Sequence, residues 1–297
     1  MYHNPVLLKE SVDGLNVKEG GIYVDVTFGG GGHSKEILKR LGPEGRLLAF
    51  DQDEDALRNT IDDERFTLIN ENFRYIRQFL KFYGIQKVDG ILADFGVSSH
   101  QFDKAERGFS TRFDADLDMR MSKKSSVSAY DVVNKYSYDN LRRVLFQYGD
   151  LRNANAMAKA IIAKREEAEI KTTEELKEVL RQFLPKSKEH KILAQIYQAI
   201  RIEVNQEIQV IEEFLLQTRD LLDKGGRLSV ISYHSLEDRL VKRYIRSGQF
   251  EGEPEKDFYG NINVPFKKVG RLIIPSKEEI SINNRARSAK HRVAERI

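Results

Sequence analysis

Four consecutive glycines, Gly29-Gly30-Gly31-Gly32, follow Asp25-Val26-Thr27-Phe28 and precede His33-Ser34 in a chain of 297 residues. Glycine lets a backbone turn tightly against a ligand, because no Cβ blocks the approach. The run falls between an apolar, β-branched stretch and a helical pattern, so it joins a strand to a helix. At such a junction the helix N-terminus offers N–H groups and the positive end of its dipole, which favours a nucleotide site over a purely structural turn. The match to the dinucleotide pattern G-x-G-x-x-G is incomplete, since Ser34 stands where a third Gly or Ala belongs. Asp51 follows Gly31 by 20 residues, where a carboxylate can accept hydrogen bonds from ribose hydroxyls. Enzymes that use NAD and enzymes that use S-adenosylmethionine both need such a group.

A second cluster reads Asp94-Phe95-Gly96-Val97-Ser98-Ser99-His100-Gln101 and brings a carboxylate, hydroxyls and an amide to the end of another strand-like run. Asp94 would serve as an ordinary turn cap elsewhere, but the carboxyl end of a central strand is where ligands of open α/β sheets bind. Further on, Arg107-Gly108-Phe109-Ser110-Thr111-Arg112-Phe113-Asp114 and Leu117-Asp118-Met119-Arg120-Met121 combine cations with aromatics, as a lid or an RNA contact would. Packing in a core explains Phe109 and Phe113 equally well. In Ser232-Tyr233-His234-Ser235-Leu236-Glu237-Asp238-Arg239, Ser235 with Asp238 reads as a helix N-cap box, and His234 lacks a metal-ligand companion at suitable spacing. No catalytic metal is expected.

The elements that must hold these groups alternate in the first hundred residues. Strands are expected at Ile22 to Phe28, Leu47 to Asp51, Phe66 to Ile69 and Val88 to Phe95, with helices near 34–41, 54–60 and 73–83. From about residue 104 to about 205 the pattern is helical: Leu141, Leu145 and Tyr148 recur at helical spacing up to Gly149, and Thr172 with Glu175 forms a capping box before Leu176, Val179, Leu180 and Phe183. An amphipathic helix on Ile208, Ile211, Phe214, Leu215, Leu221 and Leu222, closed by Gly225-Gly226, then leads to a fifth strand, Arg227 to Ser232. One discontinuous α/β domain, residues 1–104 and 206–297, is therefore expected, interrupted by an all-helical domain, residues 105–205.

Composition narrows the class. Lys plus Arg number 49 and Asp plus Glu 46, a net +3, in a chain 32% charged and 40% hydrophobic, which suits a folded domain rather than a disordered one. No stretch free of Asp, Glu, Lys and Arg exceeds nine residues, against about 20 apolar residues for a membrane span. The first ten residues contain Asn4, Pro5, Lys9 and Glu10 where a signal peptide needs its apolar stretch, and the chain has no Cys, so a cytoplasmic location is expected and thiol chemistry is excluded. Residues 261–297 hold nine Lys/Arg against three Asp/Glu, and Arg285, Arg287, Lys290, Arg292 and Arg296 read either as phosphate contacts on a polyanion or as a solvated tail.

Taken in order, these strings resemble the MraW-type family of bacterial small-subunit ribosomal RNA methyltransferases H. The likeness runs from His3-Asn4-Pro5-Val6-Leu7-Leu8-Lys9-Glu10 through the glycine loop, Asp94 to Gln101, Arg107 to Met121, Gln198 to Asn205 and Ser229 to Lys242 to Arg285-Ala286-Arg287-Ser288-Ala289. The resemblance implies a class I S-adenosylmethionine-dependent methyltransferase, a Rossmann-like doubly wound sheet with an inserted helical domain. Its implied reaction is N4-methylation of a cytidine in the decoding region of 16S rRNA, within the small ribosomal subunit. Implied cofactor contacts are Gly31, Gly32 and His33 in the loop, Asp51 on the ribose, Phe73 beside the adenine, and Asp94 and Gln101 near the methionine end, with Asp94 also the first candidate for the catalytic base. No membrane partner is implied, and a homodimer is compatible with the likeness. The chain departs from the family pattern at Asp116, Leu151, Ile192 and Gln195, in or beside the insert that would help hold RNA.

Residues alone leave an NAD-dependent oxidoreductase and a noncatalytic RNA-binding protein as rivals, because the first shares the glycine loop and Asp51 and the second the basic C-terminal segment. A methyltransferase acting on amino groups of DNA or protein is the nearest enzymatic rival. Such enzymes often place Pro-Pro-aromatic after the strand-end Asp or Asn, whereas here Asp94 is followed by Phe95-Gly96-Val97. Ser98, His234 and Asp238 are weaker candidates for the base.

Overall fold

The computed structural model describes residues 5–252, 254, 256, 258–260 and 264–297; His3 and Asn4 of the family-like N-terminal string lie outside the described residues. The chain divides into two compact units, 1–96 with 208–297, and 97–207.

Seven strands form the sheet of the first unit: β1 Ile22–Asp25, β2 Arg46–Phe50, β3 Phe66–Ile69, β4 Val88–Asp94, β5 Leu222–Ser232, β6 Phe266–Ile273 and β7 Lys290–Arg296. Their order is β3-β2-β1-β4-β5-β7-β6, parallel except for β7, which runs antiparallel to both of its neighbours. That order, with one reversed strand next to last, is the class I methyltransferase sheet. The helices are α1 Leu8–Leu15, α2 Gly32–Arg40, α3 Ile76–Phe82, α4 Ser99–Asp103, α5 Ala129–Lys135, α6 Tyr138–Gln147, α7 Ala154–Glu167, α8 Thr173–Leu180, α9 Glu189–Asn205, α10 Glu207–Leu221, α11 Ser235–Ser247 and α12 Lys277–Ile282. None of the described helices is long and apolar enough to cross a membrane.

Parallel strands covered on both faces lose all contact with water, and the central ones are correspondingly apolar. Leu47, Leu48, Ala49 and Phe50 of β2 and Ile91, Leu92 and Ala93 of β4 are buried. One core gathers Leu48, Phe50, Ile76, Leu80, Ile91, Phe214, Leu215 and Tyr244, and a second gathers Val12, Leu15, Tyr23, Ile37, Leu47 and Leu92. Alternating residues of one strand thus feed opposite layers.

Four sequence expectations change. The segment 54–60 is a 3-10 turn, Glu54–Asn59, and 73–83 splits into a 3-10 turn, Phe73–Tyr75, and α3. Gly225-Gly226 does not close a helix: α10 ends at Leu221 and β5 begins at once, with Gly225 at φ 79° where the β4 register shifts between Val88 and Gly90. The glycine pair accommodates a bulge rather than a cap. The basic C-terminal segment is no tail, because Lys290–Arg296 is β7, hydrogen-bonded on both sides. Arg292 forks onto Asp238 through Nε at 2.8 Å and Nη2 at 3.2 Å, with Lys290 3.4 Å from the same carboxylate. Burial alone would raise the Asp238 pKa, but Arg292 and Lys290 hold it below its ordinary value.

In the helical unit Leu141, Leu145, Leu176 and Leu180 lie in a core with Val132, Ile161 and Ile196. The Thr172–Glu175 capping box forms as expected. The first boundary lies at Gly96 rather than 104, because Val97 already packs on this core and Ser98 caps α4. The departures from the family pattern have structural tasks here. The Gln195 amide donates to the Gly149 carbonyl at 2.9 Å, Leu151 is buried, Ile192 packs on the core and Asp116 forms a backbone bridge with Thr172.

Removing residues 290–297 opens β5 from Arg227 to Ser232 on one edge, leaves β6 without its strand partner and strips Asp238 of both its cations. A chain ending at Ala289 is expected to lose cooperative unfolding, and circular dichroism melting checks this. A truncated protein that melts like the parent would restore the tail reading.

Candidate active site

The sheet order reverses between β1 and β4, so the crevice beyond their carboxyl ends is the place where a doubly wound sheet binds ligands. The glycine loop lies there. Gly29 and Gly31 take positive φ, 52° and 75°. A Cβ on Gly31 would stand 2.9 Å from the Phe28 ring, and one on Gly32 would stand 2.0 Å from Pro5 Cγ. The tight turn therefore requires these glycines, independently of any ligand. The loop is tied down by Gly29 N–H donating to Asp51 Oδ2 at 2.8 Å and by the Asn59 amide donating to the Gly29 carbonyl at 2.9 Å. Gly31 is the N-cap of α2 and provides no side-chain cap to its leading N–H groups.

Three aspartates end the three strands around this point. Asp25, fully buried, accepts from the Ser34 hydroxyl at 2.7 Å and from Thr27 N–H at 3.1 Å. Asp51 accepts from the N–H groups of Gly29 and Asp53, each at 2.8 Å. Asp94, with 22% of its side chain exposed, accepts the Tyr233 hydroxyl on Oδ1 at 2.8 Å, while Oδ2 lies 4.0 Å from His33 Nδ1. Burial pushes all three carboxyls up to about 6. Hydrogen bonds offset part of this at Asp25 and Asp51; at Asp94 the His33 ring and the Tyr233 hydroxyl do so. Among the described residues none of the three is paired with Lys or Arg. Such a set of acceptors suits a ligand with hydroxyls and positive charge and repels a pyrophosphate, which argues against a dinucleotide.

His33 is nearly buried, and its Nε2 donates to the Val6 carbonyl at 3.1 Å, which leaves Nδ1 facing Asp94. Phe73 sits half-buried after β3, its ring stacked on Phe95 with centroids 6.0 Å apart and edge-on to Phe214 at 5.2 Å. Gln101 belongs to the helical unit, where it is buried and completes the α4 capping box by accepting from Ser98 N–H at 3.1 Å. The structure thus gathers Gly31, Gly32, His33, Asp51, Phe73 and Asp94 on the strand ends of one unit, and gives Gln101 a capping task in the other.

Other expectations are corrected. The N-cap of α11 is His234 rather than Ser235: its Nδ1 accepts from Glu237 N–H at 3.4 Å, and Glu237 reaches back to His234 N–H. His234 also has a carboxylate companion, since its Nε2 lies 3.0 Å from Glu237 Oε1. Phe109 is buried in the helical core, Arg107 donates to the carbonyls of Arg120 and Met121, and Arg120 pairs with Asp118, so these three are structural. Phe113 and Arg112 remain exposed, the guanidinium 5.7 Å from the ring centroid.

Sequence reasoning missed Tyr233 as the partner of Asp94, Asp25 as the anchor of α2, and Thr27, whose hydroxyl accepts Asp94 N–H at 2.6 Å. Asp25 was legible as the last residue before the glycine loop. Tyr233 required knowing that β5 lies beside β4.

The whole chain, residues 1–297, matches the model of the MraW methylase family. It is 71% identical over 296 residues to the ribosomal RNA small subunit methyltransferase H of Christiangramia forsetii, covering 100% of this chain and 98% of that protein. The Flavobacterium johnsoniae protein of the same name is 69% identical with the same coverage. That of Bacteroides thetaiotaomicron is 52% identical over 296 residues, covering 99% and 97%.

An unfolded aspartate releases its proton near 3.8, whereas these sites hold theirs to about 6, so between those values the folded state binds more protons and stability falls as pH rises. His291, pushed down to about 4 by burial, pulls the other way over much of the same window. The Asp25 contribution is isolated by Asp25→Asn, which keeps an acceptor for Ser34 and Thr27. Relative to the parent, this variant is expected to gain about 1.4 kcal/mol between pH 5 and pH 7.5, the part of the Asp25 linkage that falls in that window. Calorimetric unfolding at the two pH values reads the difference, and a constant offset would contradict it.

Proposed function

The chain belongs to the MraW methylase family and is an S-adenosylmethionine-dependent class I methyltransferase, and we propose that its acceptor is N4 of a cytidine in the decoding region of 16S rRNA, within the small ribosomal subunit. The observation that carries the chemistry is Asp94, a partly exposed carboxylate at the central strand end with one oxygen engaged by Tyr233 and the other 4.0 Å from His33 Nδ1, beyond hydrogen-bond distance. The names of the relatives carry the choice of rRNA.

S-adenosylmethionine supplies an electrophilic methyl carbon on a sulfonium. The carboxylates of Asp25, Asp51 and Asp94 give the crevice the sign that favours such a cation. Gly31 and Gly32 allow close backbone approach at the start of α2, with His33 setting that turn through Val6. Asp51 is assigned to the ribose hydroxyls, Phe73 to the adenine face and Asp94 to the methionine end.

The exocyclic nitrogen of cytosine is a weak nucleophile because its lone pair is shared with the ring. An acceptor for its hydrogens localises that pair and removes the proton as the new bond forms. Asp94 Oδ2 does this when ionised, and among the described residues it accepts no hydrogen bond. The target base must leave its stack, and a single-stranded or distorted RNA lowers that cost of a few kcal/mol. Arg112 and Phe113 on the helical unit are exposed for stacking, and Lys267, Lys268 and Arg271 on β6 are exposed for phosphate contacts.

The direct experiment transfers labelled methyl groups to small subunits from cells lacking the protein, with naked rRNA and DNA alongside, followed by nucleoside analysis. Label is expected in N4-methylcytidine from subunits; label elsewhere would reassign the acceptor. Asp94→Asn should lower the single-turnover rate by about a hundredfold or more. Asp51→Ala should weaken S-adenosylhomocysteine binding about tenfold, measured by titration calorimetry.

A further inference from the structure

We propose that Tyr233 is the positioning residue of the methyl-transfer reaction: its hydroxyl holds Asp94 by Oδ1 and so leaves Oδ2 as the proton acceptor. This rests on the reading of Asp94 as the base.

Tyr233 follows the last residue of β5, beside the end of β4, where Asp94 pairs in register with Ile231 and Phe95 N–H donates to the Ile231 carbonyl. Its position is determined from three directions. The backbone N–H donates to Glu237 Oε2 at 2.7 Å, fixing the strand-to-helix turn. The ring packs over Gly96, where a Cβ would stand 3.3 Å from ring Cδ2 and where φ is 103°. The hydroxyl donates to Asp94 Oδ1 at 2.8 Å. Gly96 therefore has a purpose in this chain that the Pro-Pro-aromatic pattern lacks: it admits the tyrosine ring beside the strand end.

The opposite side is equally constrained. His33 spends Nε2–H on the Val6 carbonyl, so the nitrogen nearest Asp94 is Nδ1, 4.0 Å from Oδ2 and beyond hydrogen-bond distance. Asp94 is thus held through one oxygen by a neutral donor, while the other keeps its lone pairs. In the reaction the N4–carbon bond forms, the carbon–sulfur bond breaks with its electron pair going to sulfur, and the N4 proton passes to Oδ2. Tyr233 keeps its own proton throughout. Burial and the Asp94 charge hold its phenol well above the ordinary range, so it acts as a donor only.

A donor to the ionised carboxylate favours that form, so this contact offsets part of the upward push that burial exerts on Asp94. In Tyr233→Phe the acid limb of the rate profile should therefore move to higher pH. Single-turnover transfer to small subunits, followed between about pH 5 and pH 9, should fall about tenfold near pH 6.5 and converge on the parent at the alkaline end, with S-adenosylhomocysteine affinity within about twofold. Installing 3-fluorotyrosine at position 233 keeps the shape and strengthens the donor, and should move the limb the other way. A uniform loss at every pH, or no change, would reduce Tyr233 to a space-filling role. Asp94→Asn separates the two readings: retained turnover removes the base and this inference with it, whereas lost turnover with an unmoved limb in both Tyr233 forms removes this inference alone.

Discussion

The carboxyl ends of β1, β2 and β4 bring Asp25, Asp51 and Asp94 close enough for Asp25 to raise the proton affinity of the other two, in surroundings that desolvate all three. Buried carboxylates without cations are costly. Hydrogen bonds from backbone N–H groups, Ser34 and Tyr233 limit the cost without neutralising the charge. The residual negative potential suits a sulfonium cofactor, and the upward shifts mean that ionising these carboxylates costs stability in the folded protein.

Such a site needs a rigid support, and the sheet provides it. Each carboxylate ends a strand whose preceding residues are buried, so main-chain position is fixed by ladder hydrogen bonds and core packing rather than by a loop. The glycine loop follows the same logic. Its turn is dictated by Phe28 and Pro5 on one side and by Asp51 and Asn59 on the other. The aspartate proposed for the ribose, Asp51, also ties down the loop through Gly29 N–H.

Charge along the chain is a poor guide to where the polyanion lies. The basic run at the C-terminus is largely consumed by structure, with Arg292 and Lys290 on Asp238, and Arg296 on the carbonyls of Arg219 and Pro265. Exposed cations occur on β6 and beside Phe113 in the helical unit, where Lys267 lies 3.8 Å from Glu295 and Arg112 3.6 Å from Asp103, while Lys268 and Arg271 are also exposed. A cation counts toward RNA binding only once its intramolecular partners are known.

Periodicity and local chemistry sufficed to identify the strands that carry the site, the capping box at Thr172 and the glycine turn, because those signals depend on residues near one another in the chain. Strand identity also placed Asp51 and Asp94 at strand ends. Gly225-Gly226 was misread because a glycine pair marks a cap or a bulge equally well until the neighbouring strand is known. Tertiary structure alone decided that residues 290–296 form an inner strand, that Phe109 is core while Phe113 is exposed, and that Tyr233 meets Asp94 across 139 positions of sequence. Those outcomes depend on which strands become neighbours, a property of the whole folded chain and not of any local stretch.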